Sequence, residues 1–435
     1  MVPHSKEKSR RHERGYNSMN NSLKIAQLSD LHFCQKYLAE VERCCNFAVN
    51  YIKQTGVDVV VISGDATECG LDMHTPAADA VLSMVRCLAD CAPVLMLQGT
   101  YSHEPPGTLN LFRHVGGRYP VFVADSICQV ALRRDAVSAA WVQSDDWCFR
   151  HAEHSGAMAI FSCLPSVNKG VVAAAVGAEK AAYAVGASVA AVLAGFSSGN
   201  EAARRLGIPT IGVSHGTVNG CVTEHGVPMA GMDHEFTVGS LFAAGCSAFC
   251  LGHIHRHQIW RDGDRAIAYP GSIARLHYGE AGDKGFLLWT VDADSANAGL
   301  VVTPAREMVS IEFQGKPDWS QLNALVSTLD GAFVRVRWAV MEEDRNQVDR
   351  NAIITLLNHA AEVKLEERVI PLQRQRVPGI GDAVSLSEKL RLWATTQGVN
   401  GDSLVARLAV LAHKPAEDIC QAYLSALAVD GRSLT

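Results

Sequence analysis

The chain has 435 residues, 48% hydrophobic and 19% charged, with 36 glycines, 15 prolines and a formal net charge of −6. That is enough chain for two or three compact units with real cores, and it excludes a fibrous, collagenous or disordered protein. The negative balance also argues against a general nucleic-acid coat protein, which grips phosphates through Lys and Arg, although cations held by carboxylates would reverse the field locally.

Met1 to Asn21 is polar and basic and lacks the apolar core of a secretory signal, so residues 1–22 read as a disordered or cloning-derived arm. Thirteen cysteines, an odd number with Cys44 next to Cys45 and no C-x-x-C, read as reduced thiols of a cytoplasmic protein. The fold begins near Leu23. Lys24 to Ser29 is a short apolar strand, and after Asp30-Leu31-His32 the residues Leu38, Val41, Cys45, Ala48 and Ile52 recur at helical spacing. Val57 to Ile62 is a β-branched run that ends in Ser63-Gly64-Asp65, and Val94 to Leu97 repeats the form, as parallel strands buried on both faces do. Ala77 to Cys91 between them reads as a helix.

Strands follow near Val121 to Val123 and Met158 to Cys163, then an Ala-rich helix from about Val172 to Leu206 and a strand from Ile208 to Ser214. The most apolar stretch of that helix, Ala181 to Gly195, is shorter than the roughly 18 residues of a membrane span, so no membrane is expected. From Cys246 the pattern is β-rich. A strand enters Gly252-His253-Ile254-His255, a hairpin turns at Asp262 to Asp264, and strands lie at Arg265 to Tyr269 and Gly285 to Val291, which predicts a second sheet packed on the first. After Pro304 to Pro317 come a strand at Phe333 to Trp338, a helix from about Val348 to Ala361 and a strand at Val363 to Ile370. Pro371 to Val384 reads as a linker. Ser385 and Glu388 then form a capping box, Leu386, Leu390 and Trp393 share one helix face, and further helices run from about Ser403 to Val410 and Pro415 to Leu427. That apolar face either packs on these helices or docks a partner. The predicted class is α/β, a two-sheet sandwich flanked by helices (23–305), a small α/β cap domain (306–371), a linker (372–384) and a C-terminal helical region (385–435).

Five short motifs occur in order: Asp30-Leu31-His32, Gly64-Asp65, the Gly99 to Glu104 loop, Ser214-His215-Gly216 and Gly252-His253-Ile254-His255. Each follows a predicted strand. Singly they are weak, since a lone His is more often a hydrogen-bonded structural residue than a ligand. Jointly they supply carboxylate oxygens and imidazole nitrogens enough for two divalent ions such as Mn, Fe or Zn.

In this order the motifs resemble the calcineurin-like metallophosphoesterase superfamily, with its D-x-H, G-D, G-N-H-[DE], loop His and G-H-x-H, over roughly Leu23 to Glu280. Tyr269-Pro270-Gly271-Ser272, with Arg275 and Gly279-Glu280, resembles the segment after G-H-x-H in the SbcD-type DNA repair nucleases. The resemblance implies that Asp30, His32 and His255 hold one cation and His215 and His253 the other, that Asp65 bridges them, and that His103 is an acid beside the phosphate. The ions it implies are two Mn, with Fe or Zn as alternatives. It further implies hydrolysis of DNA phosphodiester bonds in repair or recombination, an SbcC-type ATPase partner docked by the C-terminal helices, and a homodimer. The same metal motifs serve phosphomonoesterases and cyclic-nucleotide phosphodiesterases, or a scaffold with little catalysis.

Two positions depart from the pattern. Ser102 stands where the family has Asn before His, so either Ser102, Thr100 or the backbone supplies the missing oxygen or the second metal is held more weakly. Glu68 stands where many SbcD-like nucleases carry His, and reads either as a solvated loop charge or as a hydrogen-bond partner of His103. Arg261 and Arg275, with Arg265 and Lys284, flank the metal loops and read equally as phosphate contacts or solvated strand ends. Arg374 and Arg376 in the linker read as a further candidate DNA contact. His74, His114, His225, His234 and His257 read as structural, with His225 the best extra candidate.

Overall fold

Alternate residues of the first strands face opposite ways, and in this protein both ways are covered. In the computed structural model β1 (Leu23–Leu28), β2 (Val59–Ile62) and β3 (Val94–Leu97) run parallel, and β4 (Val121–Ala124) extends them. Val60, Ile62, Val94 and Met96 pack with Val41, Cys45 and Ile52 of α1 (Leu38–Thr55) and with Val81, Val85 and Leu88 of α2 (Pro76–Cys91). Ile25, Val59, Val61, Leu95 and Leu97 point the other way, into a core shared with a second sheet. Burial on both faces is why these strands are β-branched runs without polar alternation, and each such side chain contributes about 1.5–3 kcal/mol. The structure describes residues 22–429 apart from 136–137, 150–153, 155, 167–177, 224, 228–234, 372–376 and 378. All but the last residue of the expected N-terminal arm, most of the first half of the expected linker with Arg374 and Arg376, the start of the Ala-rich helix and His234 lie outside the described residues.

The second sheet has seven strands. They are β5 (Cys128–Arg134), β6 (Ala139–Gln143), β7 (Ala159–Leu164), β8 (Thr210–His215), β11 (Ala248–Gly252), β12 (Gln258–Asp262) and β13 (Arg265–Tyr269), in the order β12-β13-β11-β8-β7-β5-β6. Val130, Phe161, Val213, Cys250 and Ala268 fill its inner face. Its outer face carries Val189 and Leu193 of α3 (Ala178–Arg205) and Leu241 of α4 (Val238–Ala243), packed with Phe249, Leu251 and Ile267. The short β9 (Thr217–Val218) and β10 (Glu235–Phe236) pair with each other.

The two sheets form the sandwich expected from the sequence, with a different division of strands. The second sheet begins at β5, well before Cys246, and β14 (Gly285–Val291) joins the first sheet, antiparallel to β1 with Leu23 opposite Val291. β15 (Ala296–Val302) pairs beyond it. The reason lies in the side chains of β14: Leu287 and Trp289 enter the core between the sheets while Phe286 enters the helix-covered core, and Trp289 Nε1 donates to Gln27 Oε1 at 2.9 Å.

The chain divides into two compact units. The first comprises the chain through Phe313 with Pro317–Arg337 and Arg350–Glu366, and the second Gln314–Lys316, Trp338–Asp349 and the chain from Glu367 onward. β16 (Met308–Phe313), β17 (Phe333–Met341) and β18 (Glu362–Ile370) form a three-stranded sheet, accompanied by α5 (Trp319–Leu325) and α6 (Arg350–Leu356). α6 is shorter than the helix expected over Val348 to Ala361, because Ala361 N donates to Ala332 O at 2.9 Å and draws the chain into the strand register. In the first unit Glu40, buried, accepts from the backbone and guanidinium of Arg306 and from Arg43, which ties α1 to the chain after the sandwich. In the second unit α7 (Leu386–Gln397) starts at the expected Ser385–Glu388 capping box and stops at Gly398, whose φ is 67°, before α8 (Gly401–His413) and α9 (Ala416–Val429). Leu386 is 65% and Trp393 42% exposed. No helix among the described residues is long and apolar enough to cross a membrane.

Candidate metal centre

The parallel strands β1, β2, β3, β8 and β11 end at one edge of the sandwich, the edge where α/β sheets place their ligands. Each of the five motifs lies at the C-terminal end of one of them or in the loop that follows, so positions over 200 residues apart in sequence meet. Three groups of ligand-capable atoms, each within 4.8 Å of one another, form there: Asp30, His32 and His255; Asp65, His215 and His253; and His32, Asp65 and His103. Asp65 belongs to two of them, as a bridge requires.

The loops are bent into unusual backbone to achieve this. Among the described residues the non-glycine positions with positive φ are Asp30 (51°), His32 (50°), Asp65 (50°) and His253 (106°). Left-handed conformations of this kind are unfavourable for side chains with a Cβ and persist where the surroundings dictate them. Asp30 N and Leu31 N donate to Gly64 O and Asp65 O, at 3.1 and 2.8 Å, and His253 N donates to the Asp30 carboxylate at 3.1 Å, contacts that hold these loops in place. Gly252 is needed for close approach: a Cβ on it would lie 2.2 Å from Ser29 Oγ and Ser63 O and 2.8 Å from His215 Nδ1. Gly252→Ala is therefore expected to shift His215 and its loop at a cost of about 1–3 kcal/mol or more, visible as a lower melting temperature together with reduced metal content.

Electrostatics bind the cluster together. Burial alone would raise the Asp65 carboxyl, but the His215 imidazole, its Nε2 3.1 Å from Asp65 Oδ2, outweighs that and holds it below the usual carboxylate range. Burial likewise works against a charged His215, and the Asp65 charge and hydrogen bond outweigh it, so the group lies at about 10. His215 Nδ1 stands 2.9 Å from Ser63 O, and the Asp30 carboxylate accepts from His253 N at 3.1 Å. Glu104, fully enclosed, is pushed up to about 7 by burial and by the nearby Asp65 charge; it accepts from Gly99 N and Ala66 N at 2.6 and 2.7 Å and so laces the third motif to the second.

At the altered third motif Thr100, not Ser102, reaches the cluster. Thr100 N and Oγ1 donate to Asp65 Oδ1 and Oδ2 at 2.6 and 3.1 Å, and Oγ1 lies 3.2 Å from His215 Nε2, whereas Ser102 is exposed. His103 Nδ1 is 3.0 Å from the Glu68 carbonyl oxygen, and its ring meets His32 edge-on at 4.8 Å. Glu68 is exposed, as a solvated loop charge would be, but it also has partners: its Oε2 stands 2.7 Å from His32 Nδ1 and 3.7 Å from His103 Nδ1, and the His32 contact holds the carboxyl below its ordinary value.

Of the basic residues, Arg275 and Lys284 are buried, which corrects their reading as phosphate contacts or solvated strand ends. Arg275 is engaged by Glu307 and the carbonyls of Gly282, Ala305 and Arg306, and Lys284 by Glu280 and the His255 carbonyl. Arg261 is exposed but pairs with Ala296 O and Asn297, and Arg265 pairs with Asp262 and Phe242 O. His225 is exposed beside Gly279, and His257 Nδ1 lies 2.7 Å from Tyr269 O, a structural contact. Thr100 was one of the sequence's candidates for the missing oxygen, whereas Glu104 and Glu280 had no assigned role at the cluster, because each acts through backbone or through another side chain. The Tyr269 to Ser272 segment lies under the site: Tyr269 OH donates to Gly216 O and accepts from Val218 N, and Ser272 N donates to His255 O.

No family model matches the sequence. Over 78 residues it is 36% identical to an uncharacterized metallophosphoesterase, YhaO, of Bacillus subtilis (strain 168), a match that spans 18% of this chain and 18% of the relative. Among solved structures, GAP50, the anchor in the inner membrane complex of Plasmodium, aligns over 66% of this chain and 91% of its own at 12% identity and a TM-score of 0.39. A dimetal phosphatase from Danio rerio aligns over 65% and 98% at 10% identity and a TM-score of 0.38. In its matched segment, and in its five motifs gathered at the strand ends of a two-sheet α/β sandwich, the chain is similar to the metallophosphoesterases.

Proposed function

We propose that the protein is a phosphoesterase dependent on two divalent metal ions and that its substrate is the phosphodiester backbone of DNA. One observation carries the phosphoesterase reading: Asp65 groups with His215 and His253 on one side and, on the other, with His32, which itself belongs to the Asp30–His32–His255 group. The donors fit first-row divalent ions. All are imidazole nitrogens or carboxylate oxygens, none is a thiolate, and the buried His32 and half-buried His255 turn Nε2 toward each other at 3.1 Å. When bound, such cations make water nucleophilic at neutral pH and neutralise phosphoryl oxygens.

The chain's own residues do the rest. Asp65 and the Thr100 hydroxyl fix the centre of the site. The Glu68 carbonyl can only accept, so His103 Nδ1 faces it as an N–H and Nε2 is turned to the substrate, where the doubly protonated ring would pass its Nε2 proton to a departing alkoxide and be left neutral. Manganese as the native ion, DNA as the substrate, a role in repair, a homodimer and a cytoplasmic location are supported by the SbcD-type resemblance of the Tyr269 to Glu280 segment. Assay of the Mn-loaded chain against DNA, a model phosphodiester, a phosphomonoester and a cyclic nucleotide tests the substrate. Cleavage of DNA and the diester is expected; hydrolysis of monoesters alone would remove the DNA reading.

An SbcC-type ATPase is the proposed partner, docked on the exposed Leu386 and Trp393 face of α7. A chain truncated after Val384 is expected to keep Mn-dependent cleavage of short single-stranded DNA and to lose stimulation by ATP and the partner. Undiminished capture of the ATPase by the truncated chain in a pull-down contradicts the docking role.

A further inference from the structure

We propose that Glu68 and Glu280 are positioning residues, which hold His32 and His255 from behind and set the affinity of the cation site these imidazoles form with Asp30. The inference rests on the metal reading above and goes beyond it by naming what tunes one of the two sites.

His32 and His255 present Nε2 to each other at 3.1 Å and to Asp30 Oδ1 at 4.0 and 3.9 Å. Their other nitrogens face away toward carboxylates: His32 Nδ1 stands 2.7 Å from Glu68 Oε2, and His255 Nδ1 lies 3.7 Å from Glu280 Oε1, an electrostatic approach longer than a hydrogen bond; both Nδ1 atoms are buried and make no other hydrogen bond among the described residues. An imidazole ligates through one nitrogen and keeps its proton on the other. A carboxylate behind Nδ1 therefore selects the tautomer whose lone pair is on Nε2, fixes the ring and makes that lone pair more basic.

Glu280 is itself held. Its Oε1 accepts from Leu276 N and His277 N at 3.3 and 3.0 Å, and it pairs with Lys284, whose ammonium is 0% exposed and donates to His255 O at 2.8 Å. Lys284 thus holds the His255 carbonyl while Glu280 sets a negative charge behind its ring. A buried ion pair of this kind contributes little stability compared with apolar packing, so its place around one residue points to positioning. The other group is built differently: His215 is backed by the neutral Ser63 carbonyl at 2.9 Å. Loss of either carboxylate should weaken one cation and spare the other.

The test is calorimetric titration of metal-stripped full-length chain with Mn, and titration with Co followed by its visible absorption. Wild type is expected to take two ions. Glu68→Gln and Glu280→Gln should each weaken one ion by about 10- to 100-fold and leave the other as in wild type, with Glu280→Asp restoring part of the loss. Glu280 is buried, so circular dichroism and the melting temperature accompany that variant; Glu68 is 44% exposed and its removal does not threaten the fold. Wild-type affinity for both ions in Glu68→Gln, or equal weakening of both, overturns the proposal. A wild-type chain that takes no ion overturns it together with the phosphoesterase reading, and the wild-type titration alone tells these failures apart.

Discussion

Asp65→Ala is expected to reduce hydrolysis to background while the chain stays folded. Asp65 is the one carboxylate shared by the His215–His253 group and the His32–His103 group, so its loss removes a donor from both sides of the centre at once. It also strips His215 Nε2 of its 3.1 Å anionic partner and Thr100 of both its acceptors. The fold should survive because the loop is held through its backbone, Leu31 N and His32 N donating to Asp65 O at 2.8 and 3.1 Å. An Ala at a φ of 50° costs about 1–2 kcal/mol, which a core of this size tolerates. Asp65→Asn, which keeps an oxygen for Thr100 and suits the left-handed backbone, separates the charge from the shape: it too should be inactive, with a melting temperature nearer wild type. Activity retained in either variant contradicts a shared bridge.

His103→Gln is expected to lower turnover by about 100-fold or more with metal content near wild type. The imidazole is partly exposed at the mouth of the cluster, and its Nδ1 is taken by the Glu68 carbonyl. It is placed to serve a phosphoryl oxygen or a leaving group through Nε2 rather than to anchor an ion. Gln keeps a polar group of similar length but cannot carry a proton there. Turnover and metal stoichiometry measured on the same preparation decide the point, since loss of an ion from this variant makes His103 a ligand.

The strand-end motifs were legible in the sequence because each requirement is local. A β-branched run buried on both faces followed by Ser-Gly-Asp, or a strand entering Gly-His-Ile-His, carries its own signature, and the elements at Val94–Leu97, Arg265–Tyr269 and Gly285–Val291 lie where the pattern put them. Which sheet a strand joins is not local. β14 pairs with β1 because Trp289 and Gln27, 262 positions apart, complete one another's hydrogen bonds inside the core. The hairpin of β5 and β6 was missed for a related reason: Ala139–Gln143 is mostly half-exposed and lacks a strong apolar alternation. In the site, the residues that offer atoms to the centre announce themselves by type, while those that aim them do not. Glu68 looks like a surface charge until His32 Nδ1 is found 2.7 Å away, and Arg275 and Lys284 look like phosphate contacts until burial shows them engaged within the protein.

Elemental analysis of the Mn-loaded, desalted full-length chain tests the central claim most directly. Two ions bound per chain, falling to one or none in Asp65→Ala, is the result expected from a carboxylate shared between two ligand groups. A wild-type chain that retains no ion, or an Asp65→Ala chain that still retains two, would contradict it.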